Sequence, residues 1–344
     1  MDLYVASGGT EFSNNSFALM DRLYFNDGKG NFNKSNQLLP SGKPESSSIV
    51  KASDFDDDGD MDLFVGIRLK SGLIGVPQNG YLLINDGQGN FNNNTTSIAP
   101  ELLNLGMITD AIWADYDNDD DEDLIVVGEW MAIRVFQNDD GKLTEVSTKL
   151  GLADTSGWWN AIEAADLDND GDIDFIVGNH GLNSRFKASK EEPISCYIND
   201  FDQNGMAEQI ICMYNEGTSY PQPLRHDLVM QLPILKKKYL KYESYKNQTI
   251  QDMFPPEVLE NSVIHEATEL RSVMLMNNGN DTFEVKALPL EAQASPVYAI
   301  AVEDFDGDGQ KDIFLGGNQY RVKPEAGRYD ASYGTLLRGK GDYG

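Results

Sequence analysis

Five short loops concentrate the acidity of this chain and restrict what it can fold into. They run 54–62, 115–123, 166–174, 200–208 and 304–312, and each carries a carboxylate at positions 1, 3 and 9 with Asp or Asn at position 5. Four of them have Gly at position 6; the second has Asp120 there. The loops hold 6, 7, 5, 3 and 4 acidic residues, which is 25 of the chain's 56. Like charges at this density oppose folding unless a cation neutralises them. Oxygen donors at alternating positions, with Gly allowing a sharp turn, are what Ca²⁺ coordination asks of a loop. Mg²⁺ prefers a smaller octahedron that keeps its waters, and transition metals favour His or Cys, of which the chain has three and two. Solvated acidic turns are the alternative for any single loop, since Asp, Asn and Gly are common turn formers. Five loops of one spacing favour calcium. Five Ca²⁺ would bring the formal net charge from −29 to −19.

An EF-hand shares the first half of this pattern but has Glu at position 12 and flanking helices. Here position 9 leads into apolar runs, Asp62 to Gly66, Asp123 to Gly128, Asp174 to Gly178 and Asp312 to Gly316. Apolar segments also precede the loops. The order is strand, acidic loop, strand. A second marker recurs out of phase: Leu23–Phe32 and Leu82–Phe91 both contain Asn-Asp-Gly turns between apolar runs, with weaker copies at Val135–Leu143 and Leu275–Phe283. This predicts a hairpin, so that one repeat makes a four-stranded antiparallel sheet. Loop starts at 54, 115 and 166 give repeats of 61 and 51 residues, within the range of a propeller blade.

The loops and the strands that follow them resemble FG-GAP/VCBS-type repeats, the calcium-binding blades of integrin α-subunit propellers and of many bacterial surface proteins. The resemblance covers residues 1–220 and 270–344. It implies an all-β fold, a β-propeller of about six four-stranded antiparallel blades or part-blades with a helical insertion. Residues 1–223 and 273–344 would be blades and 224–272 the insertion. Carried over by position, the ligands of up to five Ca²⁺ would be Asp54, Asp56, Asp58 and Asp62 in the first loop, and Asp115, Asp117, Asp119 and Asp123 in the second. Asp166, Asp168, Asp170 and Asp174 follow in the third, Asp200, Asp202, Asn204 and Glu208 in the fourth, and Asp304, Asp306, Asp308 and Asp312 in the fifth. Position 7 would give its carbonyl: Asp60, Asp121, Asp172, Met206 and Gln310. Two departures stand out: Asp120 replaces the turn Gly, and loop 200–208 starts only 34 residues after its predecessor, too few for a full blade. Met1–Gly8 resembles a second strand without its loop, and Thr335–Tyr343 a third strand and turn without a fourth. The chain is therefore expected to be a piece of a longer protein.

Residues 224–272 break the pattern with apolar and aromatic residues at helical spacing and Pro255-Pro256 as a helix start. Lys236, Lys237, Lys238 and Lys241 form a basic cluster there. A solvated helical face is the first expectation; a docking surface for an acidic partner or an anionic sugar is the second. Trp158-Trp159 is expected to pack between blades, with stacking on sugar rings as the alternative. Cys196 and Cys212 lie symmetrically about Asn204 and either bond across a hairpin or stay as buried thiols.

Gly334–Lys340 imitates a phosphate-binding loop but is followed by Gly341 where Ser or Thr belongs. His180, His226 and His265 are isolated, and no catalytic motif emerges; a hidden carboxylate pair stays open. The −29 charge repels nucleic acid and anionic membranes, and no run approaches the length of a membrane span. The function expected first is a non-catalytic, calcium-stabilised extracellular or cell-surface propeller that binds protein or glycan. A propeller-based polysaccharide lyase or glycoside hydrolase is the rival, and a purely structural domain of a surface assembly the third option.

Overall fold

The computed structural model describes residues 1–279, 282–323 and 326–340. The fold is all-β and antiparallel, built as a row of five sheets with a sixth inserted. The first sheet holds β1 (Leu3–Val5), β2 (Arg22–Asn26) and β3 (Phe32–Lys34). The second holds β4 (Ser46–Ser53), β5 (Asp62–Leu69), β6 (Gly80–Asn85) and β7 (Phe91–Asn93), and is followed by the short α1 (Thr95–Ile98). The third is β8 (Met107–Ala114), β9 (Asp123–Met131), β10 (Arg134–Gln137), β11 (Thr144–Glu145) and the two-residue β12 (Gly157–Trp158). The fourth opens with β13 (Ala161–Ala165) and β14 (Asp174–Gly178).

At that point the chain leaves the fourth sheet. It builds β15 (Ile194–Asn199), β16 (Glu208–Asn215) and β17 (Thr218–Pro221), then α2 (Arg225–Gln231), α3 (Ile250–Met253), α4 (Pro256–Glu260) and β18 (Val263–Ala267). These four strands form their own sheet in the order β17-β16-β15-β18. The fourth sheet is then completed by β19 (Val273–Asn277) and β20 (Phe283–Ala287), β14 pairing directly with β19. The fifth sheet is β21 (Ala299–Glu303), β22 (Asp312–Gly316) and β23 (Thr335–Leu337).

This topology explains the 34-residue spacing. Loop 200–208 belongs to the inserted sheet, between β15 and β16, and not to the next sheet of the row. It also corrects the expected helical stretch 224–272: Val263–Ala267 is a strand, hydrogen-bonded to β15 some 70 residues earlier. Of the two markers expected near the end, β23 forms, while residues 341–343 of the following turn lie outside the described residues, as do Asn280 and Asp281 in the fourth hairpin.

Each pair of neighbouring sheets in the row shares a core. Leu23, Val65 and Leu83 pack between the first two; Phe55, Phe64, Leu82, Ile108 and Phe136 between the second and third. Ile125, Trp159, Phe175 and Leu275 fill the next space, and Leu167, Ile176, Met274 and Ile313 the last. The second strands β5, β9 and β14 are therefore buried on both faces, which is why Asp62–Gly66, Asp123–Gly128 and Asp174–Gly178 are continuous apolar runs and not alternating ones; in β22, at the end of the row, Phe314 is exposed. Their terminal Gly has a specific cause. A Cβ on Gly66 would stand 2.5 Å from Ile108 Cγ2 of β8, and one on Gly178 2.8 Å from Val297 just before β21. Only Gly lets the next sheet approach this closely.

Side-chain hydroxyls repeat the same link along the row. Ser48 Oγ donates to Gly66 O (3.0 Å) in its own sheet and to Ile108 O (2.7 Å) in the next. Thr109 Oγ1 donates to Val127 O (3.2 Å) and Trp159 O (2.9 Å) in the same way.

Acidic clusters and the opposite cavity

All five acidic loops fold alike. Positions 4 and 6 both take left-handed backbone: Asp57, Asn118, Asn169, Gln203 and Gly307 at the fourth position, and Gly59, Asp120, Gly171, Gly205 and Gly309 at the sixth. Asp120 adopts φ 73° without the freedom of Gly. The position-1 carboxylate accepts from the following backbone, as Asp166 does from Asp170 N (3.2 Å) and Gly171 N (3.1 Å). Position 5 accepts from position 7, as Asp170 does from Asp172 N (3.0 Å).

The position-9 carboxylate does a second job that the spacing alone does not reveal. Asp123 accepts from Tyr116 N (3.1 Å) inside its loop and from Asn138 N (2.8 Å) at the start of the hairpin turn. Asp174 does the same with Leu167 N and Asn277 N. The hairpin Asn then reaches back to the preceding loop: Asn138 Nδ2 donates to Phe55 O (2.7 Å) and Asn277 Nδ2 to Tyr116 O (2.6 Å). The hairpin-turn Asn thus ties the third and fourth sheets each to the loop of the one before it, whereas Asn85 of the second sheet donates to Met61 O in its own loop.

The clusters have the chemistry of cation sites. Oxygens of Asp54, Asp56 and Asp58 lie within 4.8 Å of one another, as do those of Asp115, Asp117 and Asp123, and of Asp166, Asp168 and Asp174. Asp200, Asp202 and Glu208 form a fourth group, and Asp304, Asp306 and Asp308 a fifth. Buried carboxylate oxygens without a hydrogen-bond partner sit in these loops: Oδ1 of Asp60, Asp168 and Asp202, and Oδ2 of Asp62. Burial pushes the Asp62 and Asp123 carboxyls up to about 7 and Asp174 to about 6, with neighbouring carboxylates adding to the rise. A bound cation would reverse that penalty, so the donor set fits one. Asp119, Asp121, Asp170, Asp172, Asn204, Met206, Gln310 and Asp312 complete the loops without joining those tightest groups. In the last loop Asp306 is ion-paired with Arg338.

The other end of the sheets is built differently. First strands start there and second strands end there, so the cavity between them lies a full strand length from the acidic loops. Ser48, Thr109, Asn160 and Tyr298 each stand six residues before the first Asp of a loop. All four line one cavity of about 330 Å³. It continues into a larger one of about 740 Å³ whose walls come from the second to fifth sheets and from the insertion. Arg68, Glu129 and His180, each fourteen residues after the first Asp of a loop, line that larger space.

Aromatic rings make its floor. Trp158 meets Trp130 (5.0 Å between centroids), His180 (5.1 Å) and Phe186 (5.0 Å), and His180 also meets Tyr329 (5.0 Å). Trp130 holds its place with φ 61°, a costly conformation for an aromatic residue. His180 is only 9 % exposed, and burial lowers its pKa to about 4, so the ring is neutral at pH 7. His180 Nε2 and Trp158 Nε1 are buried without a hydrogen-bond partner.

The two tryptophans expected as a pair therefore separate. Trp159 is fully buried in the core between the third and fourth sheets, its Nε1 donating to Thr155 O (3.0 Å), while Trp158 lines the cavity. Lys236, Lys237 and Lys241 are exposed and line none of the cavities described; Lys238 donates to the carbonyls of Asp252 and Met253 at the end of α3. Cys196 pairs with Ile211 and Cys212 with Ser195, one step out of register, so the thiols face opposite sides of the sheet and stay free. His265 binds the carbonyl of Gly75, and His226 pairs with Tyr242 and Asp227.

Residues 1–65 and 115–177 match the family model of FG-GAP-like repeats. These two stretches are similar to FG-GAP-like repeats. The matched stretches include the first three acidic loops; the inserted sheet and the fifth lie outside them. No curated protein matches the chain. Among solved structures, a lectin of Agrocybe aegerita described for specific recognition of non-reducing terminal N-acetylglucosamine is 15 % identical, with 100 % of this chain and 81 % of that one covered and a TM-score of 0.33. The V. cholerae biofilm matrix protein Bap1 is 10 % identical over 89 % of this chain and 66 % of its own, with a TM-score of 0.30. No helix among the described residues is long and apolar enough to cross a membrane.

Proposed function

We propose that the FG-GAP-like sheets form a calcium-stabilised β-propeller arc that serves outside the cell as a non-catalytic binding module for glycan or protein ligands. The observation that carries this reading is the separation of duties between the two ends of the sheets. The acidic clusters hold strand ends, and their ligand oxygens converge on one another and not on an open cleft. The cavity at the other end is free of that task and collects the aromatic and charged side chains of four successive sheets. Residues in equivalent repeat positions, such as Ser48, Thr109, Asn160 and Tyr298, converging on one space support a radial arrangement of blades. Calcium is favoured over other cations by the all-oxygen donors, and sites of this type suit millimolar extracellular Ca²⁺.

The test is a glycan-array screen of the calcium-loaded protein, with reducing-end and unsaturated-product assays on the bound glycans. Retention of an unchanged glycan, lost on Trp158→Ala, is the expected result. Release of cleaved product would make the chain an enzyme and overturn the non-catalytic assignment.

A further inference from the structure

We infer that the 740 Å³ cavity takes an acidic saccharide, a sugar bearing a carboxylate or a sulfate, with the anion held by Arg185 and Arg321 and the ring laid on the Trp130–Trp158 aromatic floor. The inference rests on the binding-module reading and names its ligand class.

Charge is the first argument. The chain carries 27 Lys and Arg against 56 Asp and Glu, yet the described lining of this cavity holds four cations, Arg68, Arg185, Arg321 and Lys323, against two anions, Glu129 and Asp227. The local ratio is inverted. Both anions are already engaged: Glu129 with Arg68 (2.7 Å) and Asp227 with Lys323 (2.9 Å). Arg185 and Arg321 have no ion-pair partner among the described residues. On a chain of net charge −29, two exposed guanidinium groups without a carboxylate partner, one of them stacked over Phe186 at 5.3 Å, make a local positive patch at this cavity, and they suit an anion that one or both can grip in a fork.

The walls decide what kind of anion. A bare phosphate or sulfate would need no aromatic floor. Here Trp130, Trp158 and Phe186 present half-buried apolar rings, backed by the buried Tyr329, beside buried polar groups without a partner, Nε1 of Trp158 and Nε2 of His180. Apolar faces with sparse, fixed hydrogen-bonding groups suit a sugar ring, whose C–H face stacks while its hydroxyls seek partners. The strained backbone of Trp130 is consistent with a ring held in place for a ligand. The volume lies within the range of small-molecule sites.

Calorimetric titration of the calcium-loaded chain tests this with four probes: a uronic-acid disaccharide, a sulfated disaccharide, neutral cellobiose, and inorganic sulfate. At least one acidic disaccharide should bind ten-fold or more tighter than cellobiose and than sulfate, and the two acidic arms separate carboxylate from sulfate. Arg185→Ala and Arg321→Ala, both at exposed positions, should each weaken it about ten-fold while calcium content and melting temperature stay at wild-type values. Cellobiose binding as well as the acidic sugars, or unaltered affinity in both Arg variants, overturns the acidic class; if that neutral binding is lost on Trp158→Ala, the binding-module reading still stands. Absence of binding by all four probes, together with an empty glycan array, overturns both.

Discussion

Arg68 and Glu129 occupy the same place in successive repeats, fourteen residues after Asp54 and Asp115, and grip each other through two hydrogen bonds. Nε donates to Oε2 at 3.2 Å and Nη2 to Oε1 at 2.7 Å. Opposite charges at one repeat position lock the second sheet to the third at the cavity, while His180 takes that position in the fourth. Both side chains keep part of their surface in water, 44 % and 25 %, so solvent screens the pair. A double-mutant cycle with Arg68→Met and Glu129→Gln should give a coupling of about 1 kcal/mol, reduced by salt. A coupling near zero at low salt would mean that the two residues merely adjoin.

Gly66 and Gly316 also share a repeat position, and the structure separates them. Gly66 has Ile108 of the next sheet against it, whereas nothing lies within 4 Å of a Cβ built on Gly316. Gly66→Ala should destabilise by about 1–3 kcal/mol through overpacking. Gly316→Ala should change stability by less than about 0.5 kcal/mol, as expected for an open site. Denaturant midpoints of the two variants decide this, and equal losses would contradict the stacking of second and third sheets.

What was legible in the sequence was local. The acidic loops declare themselves because their ligands fall within nine contiguous residues, and the doubly buried second strands do so because Leu63–Val65 and Leu124–Val127 are unbroken apolar runs. Pairing of β15 with β18 was not legible, since it joins residues 194–199 to 263–267 across a helical stretch and depends on tertiary packing over Leu228, Leu232 and Tyr239. Spacing left Cys196 and Cys212 open between a bond and two buried thiols; one residue of register, which in a strand reverses the face, makes them buried free thiols. The cavity also has a signal in the sequence. Aligning the repeats on their first Asp brings Ser48, Thr109, Asn160 and Tyr298 into one column and Arg68, Glu129 and His180 into another. Their variety within a fixed frame is what a site built from several sheets looks like.

Calcium should stabilise the chain in a pH-dependent way. Without metal, Asp62, Asp123 and Asp174 have carboxyls raised from the ordinary value near 3.8 to about 7, 7 and 6. The folded state then holds protons that the unfolded chain has released, so their contribution is full below pH 4 and is lost as pH rises through 6 to 7. Calcium takes the ionised forms. The gap in melting temperature between calcium-loaded and chelated protein should therefore widen from pH 5 to pH 8, reaching about 5 °C or more per occupied site at saturating metal. Mg²⁺ should restore much less. Identical melts with and without chelator at pH 8 would remove calcium from the account.

The five loops should not matter equally, and Asp168→Ala against Asp202→Ala separates them. Both residues carry a buried oxygen without a hydrogen-bond partner and belong to a cluster of three acids. Loop 166–174 offers five carboxylates and loop 200–208 only three, so the former should hold its cation more tightly. Position matters as well. Leu167 is fully buried in the core between the fourth and fifth sheets, so disordering its loop loosens the row itself. Phe201 instead packs under the helices of the insertion with Ile250, Met253 and Phe254. Asp168→Ala should therefore release one calcium and cost about 2–3 kcal/mol in the main unfolding transition, the scale of one tightly held ligand. Asp202→Ala should release one calcium at lower metal affinity and leave that transition nearly in place. Calcium stoichiometry and melting of the two variants, side by side, give the answer, and equal shifts in the main transition would refute the ranking.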